Sequence, residues 1–225
     1  MDERPRDPSL DVVVVPTWAE LRRRLPRLFL GLPLLGIGIA MTLHAELGVS
    51  PYDVLHQGLA EHTGLSFGTV VVLLGVVILL AWIPLRQRPG VGTVINTLTV
   101  GFITDFALHV LPEPEALAWR IPLLCGGILV TAFGMGLYIG SGLGPGPRDG
   151  LMTGIAARGH SLWIVRTVLE LVALSIGFAL GGDVGIGTVL FAFSIGPLGH
   201  FFLARLHLGA AAVDEPDLGP GTAAE

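Results

Sequence analysis

The 13 basic residues include no lysine, there is one cysteine, and only 14% of the 225 residues are charged. Each scarcity excludes something. Soluble domains carry about 25% charged residues, so 14% beside 52% hydrophobic residues and a mean hydropathy of +0.73 excludes a soluble globular domain and a disordered chain. A lone cysteine, Cys125, inside an apolar run permits no intrachain disulfide and no thiol pair for a metal or redox centre. The net charge of −5, with arginines spread along the chain, argues against a nucleic-acid surface. What is abundant is glycine, 32 of 225 residues and about twice the usual share. In a membrane protein that suits close helix packing and broken helices.

A membrane span needs about 20 apolar residues. Six stretches qualify, near 27–46, 66–85, 92–111, 120–141, 162–181 and 187–205. The chain is therefore expected to be all-α, a polytopic transmembrane bundle. Residues 1–23 are charged and proline-bearing and 206–225 are acidic and aperiodic, so both are expected to be cytoplasmic tails, the second disordered. The basic run before the first stretch resembles a signal-peptide head, but no convincing cleavage site follows, and the span is expected to be retained.

The two halves repeat each other. At an offset of 96, residues 24–58 match 120–154 with 11 identities in 35 positions, among them Gly48/Gly144, Pro51/Pro147, Asp53/Asp149 and Gly58/Gly154. At an offset of 95 the match resumes, with Ser66 on Ser161, GVGTV (90–94) on GIGTV (185–189), Gly101 on Gly196 and Phe106 on Phe201. The membrane repeats are thus expected at 24–106 and 120–205, joined by an external linker at 107–119. Each unit holds a span, a short segment and two more spans.

The short segments, near 48–65 and 145–160, set the topology. A helix from Pro51 to Thr63 is only about 20 Å long at ~1.5 Å per residue. With Asp53, His56, Gln57, Glu61 and His62 it is also too polar to cross. Non-crossing segments give two inverted three-span repeats, each with a short re-entrant helix. Arginine placement agrees, since basic residues stay in the cytoplasm: with both termini inside, 12 of 13 arginines lie on or near the inner face and only Arg120 lies outside.

In SPYDVLHQGL, Ser50 is a candidate N-cap, Pro51 fits the first helical position, and Asp53 can reach back to orphan amides. GPRDGLMTG repeats this with Gly146 as cap. The plain reading is that these residues only start two short helices. The functional reading is that two half-helix N-termini meet near mid-bilayer and bind an anionic group, or, through their aspartates, a cation or proton.

GVSPYDVLHQGL, TGLSFGT and LRQRPGVGT in the first half, with GLYIGSGLGPGPRDGL and GGDVGIGTVLFAFSIGP in the second, resemble the YczE/YyaS/YitT family of bacterial integral membrane proteins, its YczE branch above all. The resemblance covers about 25–203. It implies a multi-pass protein of the bacterial plasma membrane with no settled activity, so it carries over no catalytic residues.

Charges inside spans are functional candidates by default. Glu170 stands one turn after Arg166 in the fifth span, either as an ion pair reaching the cytoplasmic interface or as part of a solute or proton pathway. Asp105 and His109, beside His44 and Glu46, read as interfacial polar ends or as an outer vestibule, and their spacing matches no zinc signature. His200, in IGPLGHFF, is a further pathway candidate. Gly136, Gly140 and Gly144 form a four-residue ladder that reads as a helix-packing face, and Asn96 and Thr97 are expected to hydrogen-bond a neighbouring helix. GSGLGPGPRDG lacks the lysine and hydroxyl of a phosphate loop, and no serine or cysteine has a base arranged beside it.

The expectation is therefore a transporter-like membrane protein, not an enzyme, with no cofactor and no metal. Its solute-binding candidates are Gly48, Pro51, Asp53, His56, Gly144, Pro147, Arg148 and Asp149, and its pathway candidates are Asp105, Arg166, Glu170 and His200. The expected partners are the lipid bilayer and a small polar or charged solute, with a homo-oligomer left open and no nucleic acid. The alternative is a non-transporting scaffold or regulator that holds a partner protein on its inner loops.

Overall fold

The computed structural model describes residues 18–208, and these are all-helical where regular. Eight helices follow in order: α1 (Trp18–His44), α2 (Pro51–Thr63), α3 (Phe67–Leu85), α4 (Val91–Val110), α5 (Leu117–Gly140), α6 (Pro147–Ala156), α7 (Leu162–Ala179) and α8 (Ile186–Leu206). Six of them, all but α2 and α6, are long and apolar enough to cross a membrane. Their outward faces carry large apolar side chains such as Phe106, Phe178 and Phe193, as a lipid-facing surface requires. Trp18, Trp119 and Trp163 stand exposed near helix starts, where amphipathic rings anchor at the interface.

α1 begins at Trp18 rather than near 27, so 18–23 is helical. The rest of both expected tails, 1–17 and 209–225, lies outside the described residues.

The short helices are punctuated as their sequences demand. Ser50 caps α2, its Oγ accepting the Asp53 N–H at 3.2 Å, Pro51 opens the first turn, and Gly64 closes the helix in the left-handed region at φ 70°. Gly146 caps α6 without a side-chain bond.

α1 and α5 form the central pair and run antiparallel. Gly31 of α1 faces Gly134 and Tyr138 of α5, while Gly38, further along α1, faces Gly127 and Thr131, earlier on α5. The approach is backbone to backbone: a Cβ on Gly31 would lie 2.7 Å from the Tyr138 nitrogen. Around this pair, α4 packs on α1 and α8 on α5, and each short helix lies against the other half, α2 on α7 and α6 on α3.

The loops before the short helices dock in matching ways. The Gly92 N–H, at the start of α4, donates to the Leu143 carbonyl at 2.9 Å, and the Gly187 N–H, at the start of α8, donates to the Leu47 carbonyl at 2.7 Å. Gly48 and Gly144 sit in these loops at φ 96° and 126°, a region that side chains rarely enter. A Cβ at Gly48 would come within 2.4 Å of the Gly185 nitrogen, and one at Gly144 within 2.5 Å of Thr93 Oγ1. Gly144 has thus left the helix that its ladder position suggested. Gly136 and Gly140 remain on α5, packed against Phe202 and Leu206 of α8.

The two ends of the bundle are tied differently. At the end where α5 and α8 finish, Arg24 is buried and donates to the carbonyls of Ser141 (3.2 Å) and Gly142 (3.4 Å), and Arg27 donates to the Leu206 carbonyl. Cations suit these helix C-termini. At the opposite end Arg120, the repeat counterpart of Arg24, bonds Glu46 at 2.5 Å and the Pro114 carbonyl at 3.0 Å.

Candidate functional site

The first turns of α2 and α6 meet inside the bundle. The Arg148 guanidinium carbon lies 4.9 Å from the centre of the Tyr52 ring, a cation–π distance. Around this contact is a cavity of about 160 Å³, lined by Ser50, Tyr52, Asp53 and His56 from the α2 side and Gly146 to Asp149 from the α6 side, and walled by α1, α3, α4, α5 and α8. Its walls are mostly aliphatic and aromatic, with Leu35, Ile39, Ile78, Phe191 and Ile195 among them.

On the α2 side the polar groups satisfy one another. Ser50 donates its hydroxyl to Asp53 Oδ2 at 2.6 Å, and His56 Nδ1 lies 3.3 Å from Asp53 Oδ1. The Asp53 carboxylate is thus held by side chains and not, as its sequence position suggested, by orphan amides, because the Ser50 hydroxyl stands between it and the helix end. His56 in turn packs edge-on against Phe67.

The α6 side is unsatisfied. Arg148 has Asp149 as its charge partner, 3.9 Å from Nε to Oδ1, which is beyond hydrogen-bond length. The Tyr138 hydroxyl is buried with no hydrogen-bond partner among the described residues, against Gly146 at the start of α6. Thr131 Oγ1 is likewise orphaned, wedged over Gly38. Asn96 is buried and lines the cavity. Thr97 instead donates to the Thr93 carbonyl in its own helix at 2.8 Å, so neither residue supplies the expected bond to a neighbouring helix. Buried polar groups without partners are costly, and here they cluster around one space.

The α6 start is positioned by Trp82 of α3, which is 2% exposed and donates Nε1–H to the Pro147 carbonyl at 3.0 Å. Its ring lies over Gly150.

A second, wider cavity of about 930 Å³ opens where α1, α4 and α7 end, lined by His44, Glu46, Gly48, Gln57, His109, Glu113 and Asp183 among others. Gln57 bridges α2 to the α7–α8 loop, donating to Asp183 Oδ2 at 2.8 Å and accepting from the Asp183 N–H at 3.0 Å. No cluster of three or more His, Cys, Asp or Glu with metal-holding geometry occurs among the described residues.

The model of DUF6198, a family of unknown function, matches residues 22–204, which takes in both short helices and all but the ends of the bundle. The chain belongs to this family. It is 41% identical over 187 residues to a Haemophilus influenzae protein described as uncharacterized (83% of this chain, 86% of that one). It is 33% identical over 180 residues to the uncharacterized membrane protein YczE of Bacillus subtilis (79% and 84%), and 30% identical over 179 residues to YyaS of the same organism (77% and 89%). The resemblance read from the motifs is thereby confirmed. No solved structure matches.

In this DUF6198 chain, Asp53, His56, Pro147, Arg148 and Asp149 come together around the central cavity, and Gly48 lines the wider one. Pro51 and Gly144 shape the approach to the short helices without lining either. Asp105 is occupied at the start of α3, accepting from the Ser66 hydroxyl at 2.6 Å and the Gly68 N–H at 2.7 Å. Arg166 and Glu170 form a one-turn pair at 3.1 Å, outside the lining of both cavities. His200 is exposed on α8. Sequence reasoning missed Tyr52 and Tyr138, and assigned Asn96 to helix packing where it lines the cavity. Tyr52 carried a signal: it is the position where PYD departs from PRD, and it faces the arginine that replaces it.

Proposed function

We propose that this protein is a transporter-like protein of the bacterial plasma membrane that binds a small polar or charged solute between two inverted three-span repeats. α2 and α6 are its re-entrant half-helices. The observation that carries this reading is the Arg148–Tyr52 contact, because the two positions are equivalent at the repeat offset of 96 and so stand where a two-fold axis would pass. The cavity lining supports it in the same way. Ser50 and Gly146, Asp53 and Asp149, Ile39 and Met135, and Asn96 and Phe191 are repeat equivalents that line one space.

The antiparallel course of α1 and α5, which are equivalent spans, is what inversion requires. So are the paired loop contacts of Gly92 with Leu143 and Gly187 with Leu47. The arginines fit an orientation with both termini cytoplasmic, the wider cavity then facing outward. A carrier needs a cavity between the repeats, whereas a scaffold can have a dry, glycine-packed centre; the Tyr138 hydroxyl without a partner among the described residues, beside a charged cavity, favours a carrier.

The reading is tested by placing single cysteines at positions 53 and 149 in a Cys125→Ala background. Membrane-impermeant thiol reagents are expected to reach both, and solute flux in liposomes is expected to fall in Asp53→Asn and Asp149→Asn. Two unreactive cysteines in a folded protein with no flux would leave the scaffold reading in its place.

A further inference from the structure

The central cavity also has a chemistry that narrows its occupant, an inference that rests on the reading above. Arg148 and Asp149 are adjacent, opposite in charge and 3.9 Å apart. Both keep accessible surface, 26% and 33% of their side chains, and both line the cavity. Neither has a hydrogen bond from any described residue, although the guanidinium offers five donors and the carboxylate about four acceptor sites. The Asp53 carboxylate facing them is engaged on both oxygens by Ser50 and His56.

A lone anion bound to Arg148 would compete with Asp149 for the same guanidinium and add negative charge to a cavity already lined by two carboxylates, Asp53 and Asp149. A lone cation on Asp149 would sit beside Arg148. Unpaired charge in a half-buried space with largely apolar walls is disfavoured. A ligand carrying an ammonium and a carboxylate on one carbon adds no net charge and satisfies both side chains at once.

Size and wall chemistry set the rest. A cavity of about 150 Å³ takes a molecule the size of benzene, and this one, about 160 Å³ and partly open, suits a ligand of similar or slightly larger size. Beside the charged pair, the lining holds Leu35, Ile39, Ile78, Phe191 and Ile195, which offer aliphatic and aromatic surface. The buried, unpartnered Tyr138 hydroxyl, beside Gly146 at the start of α6, and the Asn96 side chain, which likewise has no hydrogen bond from a described residue and lines the cavity, supply further polar partners.

We infer that the cavity takes a small zwitterion of the aliphatic α-amino acid class, its carboxylate on Arg148, its ammonium on Asp149 and its side chain against the apolar wall. Three probes that share an isobutyl-like body separate the possibilities: L-valine, isovalerate, which lacks the ammonium, and isobutylamine, which lacks the carboxylate. Calorimetric titration of the full chain in detergent is expected to show L-valine binding at least tenfold tighter than either single-charge probe. Arg148→Gln is expected to erase the advantage over isobutylamine, and Asp149→Asn the advantage over isovalerate. Because the ranking on the unmodified protein decides the matter, misfolded variants cannot obscure it.

Isovalerate or isobutylamine binding as tightly as L-valine overturns the zwitterion while leaving a solute site in place. Absence of binding by all three, with reagents still reaching positions 53 and 149, overturns it too. Inaccessible cysteines at both positions would remove the carrier reading itself.

Discussion

Adding one methyl group at Gly150 tests how α6 is held. An ideal Cβ there would lie 2.0 Å from Cζ2 and 2.3 Å from Cη2 of Trp82, whereas ordinary contact begins near 3.4 Å. The ring would have to withdraw by more than an ångström. It is 2% exposed and tethered through Nε1 to the Pro147 carbonyl, so Gly150→Ala is expected to cost about 1–3 kcal/mol, the usual range for overpacking. Trp82→Leu removes the same ring, losing one hydrogen bond worth about 1 kcal/mol and leaving a void that brings the total to about 2–4 kcal/mol. In the double variant the new methyl occupies space the indole has vacated. Its cost is expected to fall short of the sum by about 1–3 kcal/mol. Equilibrium unfolding in mixed micelles, followed by circular dichroism so that loss of a tryptophan does not bias the signal, gives all four corners of the cycle. Additivity within about 0.5 kcal/mol would refute the packing of α6 under the Trp82 ring, and with it the account of how Arg148 and Asp149 are positioned.

Three further outcomes follow from the same geometry. Gly48→Ala and Gly144→Ala each force a side chain into positive φ and against a neighbouring backbone or hydroxyl; both are expected to destabilise by about 1–3 kcal/mol, and a neutral result in the same unfolding assay would contradict the loop docking. Asp105→Asn weakens two bonds at the start of α3, so a loss of about 1–2 kcal/mol with unchanged L-valine affinity is expected; a changed affinity would return Asp105 to the pathway. Gln57→Leu removes both bonds to Asp183, and faster thiol labelling at position 53 is the expected sign that α2 has been released.

Much of the scaffold was legible in the sequence because it rests on local rules. Six apolar runs of spanning length became six helices, and Ser50 and Pro51 marked the start of α2 because caps and proline act within a few residues. The site was only half legible. Asp53 and Asp149 were conspicuous as repeated charges, but their difference is tertiary: Ser50 and His56 engage the first, and Gly146 and Met152, at the positions equivalent to Ser50 and His56, give the second no such partners. Asp105 looked like a pathway charge because Ser66 and Gly68, the groups it binds, lie far away in sequence. Tyr138 gave no signal in the sequence, since only packing reveals that its hydroxyl finds no partner among the described residues.

The two equivalent arginines leave the bundle with unequal clasps. Arg24 is 8% exposed and holds neutral carbonyls, a bond that dissolved ions scarcely reach. Arg120 is 27% exposed and holds a Glu46 that is 58% exposed, an arrangement that mobile ions screen over about 8–10 Å. Raising ionic strength therefore slackens one end and spares the other, so salt by itself should favour parting where α1 finishes.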